Sequence, residues 1–229
     1  MWIDDLILEQ SHQDIFFKVL IPQSTMVVLG SANSAEKECQ VEACKLDGVP
    51  ILKRYGGGGT VVLYPGCIVI SLGVWVKNIY HNDKYFKSIN QAIIRALASY
   101  NSRFSKLTQN GISDIVHGEK KIAGTSIFRS RNYLLYQASL IWSLDIELIE
   151  RYLQHPSREP AYRNKKSHRD FLSDLKSMIS SPVESDAIDA VAFLNKNVSK
   201  FLVEELNSEL IPSCSEQVPH LLKRANKAL

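Results

Sequence analysis

The amino-acid sequence predicts an α+β fold. Residues 67–76, CIVISLGVWV, carry the β-branched residues of a strand. Residues 85–100, YFKSINQAIIRALASY, instead repeat their apolar positions every three to four residues, as an amphipathic helix does. Because strand and helix patterns follow one another at irregular intervals, they favour an α+β layer over a regular βαβ repeat.

The first half of the chain is expected to alternate between helices and short strands. Residues 2–10, WIDDLILEQ, place their apolar residues on one helical face. A second helix is predicted over 34–48, where Ser34 is able to cap the start and Gly48 to end the helix. Strands are predicted at 25–30, 49–54, 60–64 and 67–76.

The second half begins, after the helix at 85–100, with a predicted meander of strands. Residues 113–142 are rich in strand-forming residues, and turns are expected near Gly118 and Arg131. Residues 184–207 have the pattern of a helix, and a short helix is expected at the C-terminus. No internal repeat interrupts this order.

The composition excludes several classes of protein. The chain has 229 residues, of which 45% are hydrophobic, and this suits one large domain or one domain with a small appendage. A net charge of +3 with scattered Lys and Arg lacks the basic patch of a nucleic-acid binder. The sequence shows neither a secretion signal nor an apolar stretch of about 20 residues. The four cysteines form no C-x-x-C pair, so a cytoplasmic protein with reduced thiols is expected.

A run of four glycines marks the first candidate site. Glycine lets a ligand approach the backbone closely. Four glycines in a row destabilise the folded state, because glycine loses more conformational entropy on folding than other residues, so the run suggests a binding loop. The run fits neither a P-loop nor a dinucleotide-binding fingerprint, because a strand pattern follows it. An anion or acyl chain would therefore meet the N–H groups of a strand-to-strand loop, and a flexible hairpin without a ligand is the alternative. The candidate residues are Arg54, Gly56, Gly57, Gly58, Gly59 and Thr60.

The segment 118–129, GEKKIAGTSIFR, is the second candidate site. Lys121 alternates with Ile122 in a predicted strand, and Gly124 follows three residues after the lysine. The ammonium group would suit a phosphate or a developing carbonyl oxyanion. A solvated surface turn is the alternative. Lys120 is expected to point to the opposite face of the strand.

Taken together, the two segments resemble the lipoate-protein ligase A family, within the wider group that includes biotin ligases and lipoyl(octanoyl) transferases. KRYGGGGTVVLYPGC occupies the place of the family's Arg-Arg-x-Ser-Gly-Gly-Gly loop, and KIAGTS resembles its Lys-x-x-Gly-Ser motif. LGSANSAEKEC, GISD, YQASLIW and SHRDFLSDL are similar to four further family motifs in the same order. The resemblance covers residues 3–176.

The resemblance implies a catalytic domain over residues 1–180 and a C-terminal helical extension over 181–229. Its expected fold is a mixed sheet flanked by helices, as in biotinyl/lipoyl ligases and class II aminoacyl-tRNA synthetases. Lys121 takes the catalytic position and Asp114 the metal-associated one. Substrate binding is assigned to the glycine-loop residues and to Gly124, Thr125 and Ser139.

The resemblance also implies an activity and its partners. Family enzymes activate lipoate with ATP and Mg²⁺ to lipoyl-AMP and pass the lipoyl group to a lysine of a carrier domain. The expected carriers are the lipoyl domains of 2-oxoacid dehydrogenases or the glycine cleavage H protein, and a separate accessory chain is also expected. Neither nucleic acid nor a membrane is an expected partner.

Some positions depart from the family pattern. Where the family has His-Asp, this chain has Leu63 and Tyr64, where it has Asn, this chain has Cys67, and where it has His-His, this chain has Tyr136 and Gln137. These changes are expected to remove polar groups from the pocket. Two alternatives stay open: a cysteine-dependent octanoyl or lipoyl transferase, for which Cys67 is the only cysteine next to the expected site, and a non-catalytic acyl- or carrier-binding homologue.

Overall fold

The structure is a computed structural model that describes residues 16–179 and 186–206. The predicted helices at 2–10 and at the C-terminus lie outside the described residues. No helix in the described part of the chain is both long and apolar enough to cross a bilayer.

The described residues form two sheets, and the larger has six strands, all paired antiparallel. In spatial order they are β1 (Phe16–Leu20), β5 (Cys67–Trp75), β9 (Tyr133–Ile141), β8 (Lys120–Ser130), β7 (Asp114–His117) and β6 (Leu107–Asn110). Strands β7, β8 and β9 form the predicted meander. Gly118 and Arg131 both adopt positive φ at its turns, where the chain must reverse direction within two residues.

A smaller sheet carries the glycine loop. Its central strand β2 (Met26–Leu29) runs parallel to β3 (Ile51–Lys53) and antiparallel to β4 (Val61–Leu63). The loop from 54 to 60 connects the two outer strands β3 and β4. Because this sheet mixes parallel and antiparallel pairs and helices flank the strands, the predicted α+β class with a mixed sheet is confirmed.

Two long helices cover one face of the six-stranded sheet. The helices of the described residues are α1 (Ala35–Glu38), α2 (Val41–Leu46), α3 (Asn82–Tyr100), α4 (Ile146–Tyr152), α5 (His168–Phe171) and α6 (Ala187–Glu205). The apolar stripe of α3 packs with α6 and the inner face of the sheet in one apolar core. The Asn195 side chain in α6 also bonds both the N–H and the carbonyl of Val19 at 3.0 Å. Helix α6 therefore shares the core of the sheet, and the domain boundary at 180/181 stays a prediction.

The prediction of one continuous helix over 34–48 is wrong. The segment forms two short helices, α1 and α2, because Cys39 is extended and pairs with Leu153, while the N–H of Gln40 donates to the Tyr152 carbonyl. Helical periodicity in the sequence could not show this pairing with a distant segment. Gly48, with φ of +66°, follows the second helix as expected.

Candidate active site

Two adjoining cavities lie where the glycine loop faces the large sheet. The narrow cavity, of about 120 Å³, lies between the two sheets. The wide crevice, of about 490 Å³, extends from it toward the segment 154–172. Both are lined by the following residues: Gly58, Gly59, Thr60, Val61, Ser113, Asp114, Lys121, Gly124 and Ser139. The structure thus brings the two segments singled out in the sequence to one place.

Lys121 owes its position to an irregularity in β8. Lys121 pairs with Val116 and Ala123 pairs with Ile115, so that Ile122 is an extra residue in the ladder. Such a bulge changes the direction of neighbouring side chains and is common beside active sites. Ile122 and Ala123 are both buried, whereas Lys121 lines the two cavities with its side chain 24% exposed. A Cβ at Gly124 would lie 3.0 Å from Lys121 Nζ, so the glycine makes room for the ammonium.

The carboxylate of Asp114 holds the Lys121 ammonium. Lys121 Nζ lies 2.8 Å from Asp114 Oδ1, and the Tyr162 hydroxyl donates to Asp114 Oδ2 at 2.7 Å. Burial and the adjacent Asp114 charge raise the pKa of the Tyr162 phenol, so the hydroxyl stays a donor. Both carboxylate oxygens therefore have a partner. Tyr162 lies in none of the sequence motifs, so no local signal marks it as a site residue.

Two side chains shape the glycine loop. The buried Arg54 donates through one terminal nitrogen to the carbonyls of Gly57 and Gly59, both at 2.7 Å. Asn33 donates to the Gly58 carbonyl and to Thr60 Oγ1, both at 3.1 Å. These bonds direct the Arg54 guanidinium to loop carbonyls, and the residue also lines the narrow cavity.

The loop glycines have different surroundings. Gly58 and Gly59 line both cavities, whereas Gly56 and Gly57 line neither of them. A Cβ at Gly56 would lie 2.9 Å from Ser126 Oγ, so this glycine permits close packing on β8. The space around Gly57 is open. Of the four, Gly58 alone has positive φ, at +93°, a region that residues with a side chain rarely adopt.

The remaining predicted residues lie on the sheet side of the cavities. Thr125 lines the narrow cavity and donates to the Ser113 carbonyl at 2.6 Å, which fixes the turn before Asp114. Ser139 lines both cavities and lies 3.5 Å from the Gly124 carbonyl. Ser126, which was not among the predicted site residues although it ends the KIAGTS motif, also lines the narrow cavity.

The positions that depart from the family pattern divide between two environments. Leu63 and Gln137 line the narrow cavity. Cys67 lines the wide crevice, and the expectation that the departures lie in the pocket is wrong for Tyr64 and Tyr136. The Tyr64 hydroxyl donates to the Ser143 carbonyl at 2.9 Å, and the Tyr136 hydroxyl donates to Asn90 Oδ1 at 2.6 Å on the opposite, helix-covered face of the sheet. Successive residues of a strand point to opposite faces, so Tyr136 and Gln137 are separated by the sheet.

Cys67 lines the wide crevice but is poorly suited to act as a nucleophile. Its thiol is buried, and burial raises the pKa to about 12. Burial likewise raises the thiol pKa of Cys39 to about 11 and raises that of Cys44. The thiolate is the reactive form, so none of these three described cysteines is activated near neutral pH.

Asp114 is the predicted metal position, and its surroundings set a limit on what it can bind. Within residues 16–179 and 186–206, no three His, Cys, Asp or Glu residues are grouped so as to hold a metal ion. Mg²⁺ is often bound through one carboxylate together with substrate phosphates. Asp114 fits that pattern as a single ligand, but its two oxygens already accept bonds from Lys121 and Tyr162.

Comparison with known families decides what kind of domain this is. The family model described as the Lipoyl protein ligase A/B catalytic domain matches residues 1–194. The chain belongs to this family. The match extends into α6 and confirms the family predicted from the sequence motifs.

Two relatives of this lipoyl ligase domain have been curated under contrasting names. The "Inactive lipoate--protein ligase 2" of Plasmodium falciparum is 26% identical over 182 residues, which cover 66% of this chain and 47% of the relative. "Lipoate-protein ligase A subunit 1" of Thermoplasma acidophilum is 24% identical over 165 residues, covering 69% and 63%. The chain thus spans between about half and just under two thirds of the length of these relatives.

Solved structures show the same fold. A bipartite lipoate protein ligase from Thermoplasma acidophilum, studied with its E2 lipoyl domain, has a TM-score of 0.67 at 20% identity, covering 90% of this chain and 75% of that one. Lipoate-protein ligase A bound with ATP has a TM-score of 0.65 at 20% identity, covering 90% and 77%. At these identities the likeness confirms the ligase fold.

Proposed function

We propose that this domain activates lipoate with ATP to lipoyl-AMP and transfers the lipoyl group to a lysine of a carrier domain. The observation that carries the proposal is the position of Lys121, whose ammonium lies where the narrow cavity meets the wide crevice. A cation at this junction suits the carboxyl group of a bound acid. The acyl tail would then lie in the narrow cavity and the activating nucleotide in the wide crevice.

The narrow cavity supports the binding of an acyl chain. Val28, Leu63 and Val69 contribute apolar walls from both sheets. Burying a methylene group in such surroundings contributes about 0.8 kcal/mol. The tail of the acid would lie between the sheets, and its carboxylate would point toward Lys121.

The wide crevice supports the binding of a nucleotide. Arg158, Arg163 and His168 line it, and the buried Arg163 guanidinium lies over the Phe171 ring at 4.7 Å. Burial lowers the pKa of that guanidinium, but arginine remains a cation in proteins. Glu159 also lines the crevice and pairs with Arg163 at 3.4 Å, so phosphate groups near the loop of Gly58 and Gly59 would meet the Arg158 guanidinium and compete with Glu159 for that of Arg163.

Two successive steps follow from this placement. In the first, a carboxylate oxygen of the acid attacks the α-phosphorus of ATP, and pyrophosphate leaves. In the second, the neutral amine of the target lysine attacks the acyl carbonyl, an amide bond forms, and AMP and a proton leave. Negative charge grows on the carbonyl oxygen as the amine attacks, and Lys121 would stabilise that charge once its ammonium turned from Asp114 to the substrate. A Mg²⁺ ion would screen the phosphates, with Asp114 as its protein ligand.

The environment of the cysteines weighs against the transferase alternative. Transfer from a thioester without ATP calls for a reactive thiolate, whereas burial raises the pKa of Cys67, the cysteine lining the crevice, to about 12. The non-catalytic alternative is favoured by one observation: Asp114 already neutralises the Lys121 ammonium at 2.8 Å.

The names of the relatives support two kinds of partner. The Thermoplasma ligase is bipartite and was studied with its E2 lipoyl domain. We propose that this chain likewise modifies lipoyl carrier domains, those of 2-oxoacid dehydrogenases or the glycine cleavage H protein, and that it acts with an accessory chain.

The proposal is tested by following both half-reactions. Purified protein is incubated with lipoate, ATP and Mg²⁺, and lipoyl-AMP is measured by mass spectrometry; an isolated lipoyl domain is then added, and its mass shift is recorded. We expect adenylate formation and a mass shift that requires ATP. Octanoyl transfer from an acyl-carrier thioester without ATP would establish the transferase instead. Acid binding without either reaction, also when a cell extract supplies the accessory chain, would establish the non-catalytic homologue.

A further inference from the structure

Tyr162 links the segment 154–167 to the Lys121 and Asp114 pair. Its hydroxyl donates to Asp114 Oδ2, and its ring packs against Phe171 with a centroid distance of 5.3 Å. A Cβ at Gly111 would lie 3.6 Å from the ring. Tyr162 thus joins the turn before Asp114 to the far wall of the wide crevice, with contacts from both its ring and its hydroxyl.

The free energy needed to move the Lys121 ammonium away from Asp114 depends on the other hydrogen bonds that Asp114 accepts. The Asp114 carboxylate is buried and accepts one bond from the lysine and one from the tyrosine. When the ammonium turns to a substrate oxygen, the carboxylate loses its lysine, and of its two protein donors only the Tyr162 hydroxyl stays on it, whether or not a Mg²⁺ ion then binds the oxygen that Lys121 has left. A buried carboxylate left with no donor is strongly destabilised, whereas one that keeps a hydroxyl donor is destabilised less.

We infer that Tyr162 is a positioning residue for the reaction. It holds the Asp114 carboxylate in a fixed orientation and keeps it hydrogen-bonded while Lys121 moves to the substrate. The inference rests on the proposed function, and it adds a residue that acts through Asp114 without touching the reacting atoms.

The chain contains a matched control for this arrangement. Tyr152 donates to Asp47 Oδ2 at 2.8 Å, and Arg151 binds the same carboxylate. This second set therefore also consists of a phenol and a cation on one aspartate. Tyr152 and Asp47 line neither cavity. The variants Tyr162→Phe and Tyr152→Phe each remove one phenol-to-carboxylate bond and keep the ring.

The first measurement is steady-state kinetics of lipoyl-AMP formation and of transfer to a lipoyl domain. We expect Tyr162→Phe to lower kcat about tenfold or more, because a hydrogen bond to a charged group is lost, while KM for lipoate changes less than twofold. Tyr152→Phe should leave both constants within twofold of the wild type. In an Asp114→Asn background the effect of Tyr162→Phe should largely disappear, because the tyrosine acts through that carboxylate.

The second measurement does not depend on activity. Hydrogen exchange at the amides of Arg163 and Lys166, which bond within the segment, should become faster in Tyr162→Phe and stay unchanged in Tyr152→Phe. An unchanged exchange rate would overturn the link between the segment and Asp114. Faster exchange with an unchanged kcat, or an equal loss of kcat in the Asp114→Asn background, would overturn the positioning role. A wild-type protein that forms no adenylate, even when a cell extract supplies the accessory chain, while exchange responds as expected would disprove the proposed function and leave the link itself established.

Discussion

Lys120 and Lys121 are neighbours in β8, but only Lys121 reaches the cavities. Lys120 is exposed at the start of the strand, opposite His117, whereas Lys121 lies beside Asp114. The bulge at Ile122 follows directly after this pair. Two side chains of the same chemistry therefore differ in position alone.

Replacing each lysine by alanine tests which one carries catalysis. Lys121→Ala should lower the rate of transfer to a lipoyl domain about a hundredfold or more, because a preorganised donor to a developing oxyanion is worth about 3 to 4 kcal/mol. Lys120→Ala should leave the rate within twofold. Melting temperatures of both variants show whether the fold is intact. Equal losses in the two variants would contradict the assignment of Lys121.

Gly58→Ala tests the loop conformation. Gly58 has a φ of +93°, and an added Cβ would lie 3.2 Å from the guanidinium of Arg54. A side chain at such a position costs about 1–3 kcal/mol, which the loop would relieve by moving away from the cavity wall. We therefore expect affinity for lipoate, measured by calorimetry, to fall at least fivefold.

Gly57→Ala is the matched control for the loop. The space around Gly57 is open and its φ is not positive, so an added methyl group meets nothing. Lipoate affinity should stay within twofold of the wild type. A loss in Gly57→Ala as large as that in Gly58→Ala would mean that the loop tolerates no added Cβ, whatever its backbone conformation.

The strands that build the site could be predicted from the sequence, but the details of the site could not. A run of β-branched residues such as 67–76 predicts a strand from local sequence alone. The glycine loop and Lys121 could be predicted as site residues because they lie in recognisable motifs. The bulge at Ile122 depends on how β8 pairs with β7, and the break at Cys39 depends on Leu153. Tyr162 meets Asp114 only through the folded chain. None of these contacts between distant residues produces a periodic pattern in the sequence, so none could be predicted from it.

Tyr136 shows how a departure from a family motif can be misread. Its hydroxyl donates to Asn90, whose amide in turn donates to Gln109 at 3.0 Å and to the Ser113 carbonyl at 3.3 Å. Tyr136, which replaces a histidine of the family motif, therefore takes part in a buried hydrogen-bond network on the helix-covered face of the sheet. This network holds the turn before Asp114. A sequence motif alone does not tell which face of the strand a residue occupies.

Tyr136→Phe tests that network. The variant keeps the ring but leaves the buried Asn90 Oδ1 without its hydroxyl donor, so the free energy of unfolding should fall by about 1–3 kcal/mol. Urea denaturation gives this value. Tyr80→Phe is the control, since Tyr80 is exposed, and it should change stability by less than about 0.5 kcal/mol. Equal stability of Tyr136→Phe and the wild type would show that the network contributes little.

Cys67 gives a prediction about thiol chemistry. Because burial raises its thiol pKa to about 12, little thiolate is present at pH 8. Iodoacetamide should modify Cys67 far more slowly in the native protein than in urea, as measured peptide by peptide with mass spectrometry. Iodoacetamide treatment of the native enzyme, followed by an assay of ATP-dependent transfer, should leave Cys67 unmodified and the activity retained. Rapid native labelling at Cys67 would reopen the transferase alternative.

The Asp47 carboxylate gives a prediction about acid stability. Hydrogen bonds from Arg151 and Tyr152 lower its pKa to about 2, whereas an unfolded chain has an aspartate pKa of about 3.9. The folded state therefore binds this proton less tightly than the unfolded state, and the carboxylate stabilises the fold fully above about pH 5. That contribution is lost as the pH falls through about 4 toward 2.

Urea denaturation from pH 7 down to pH 3 measures this effect. Asp47→Asn should be less stable than the wild type at pH 7, and the difference should shrink steadily below about pH 4, because the wild-type carboxyl is then protonated on unfolding. Glu42→Gln, which removes an exposed carboxylate paired with Lys45 on the same helix, should change the midpoint little at pH 7. A difference between Asp47→Asn and the wild type that grew as the pH fell would have the wrong sign, and it would show that Arg151 and Tyr152 do not stabilise the ionised form of Asp47.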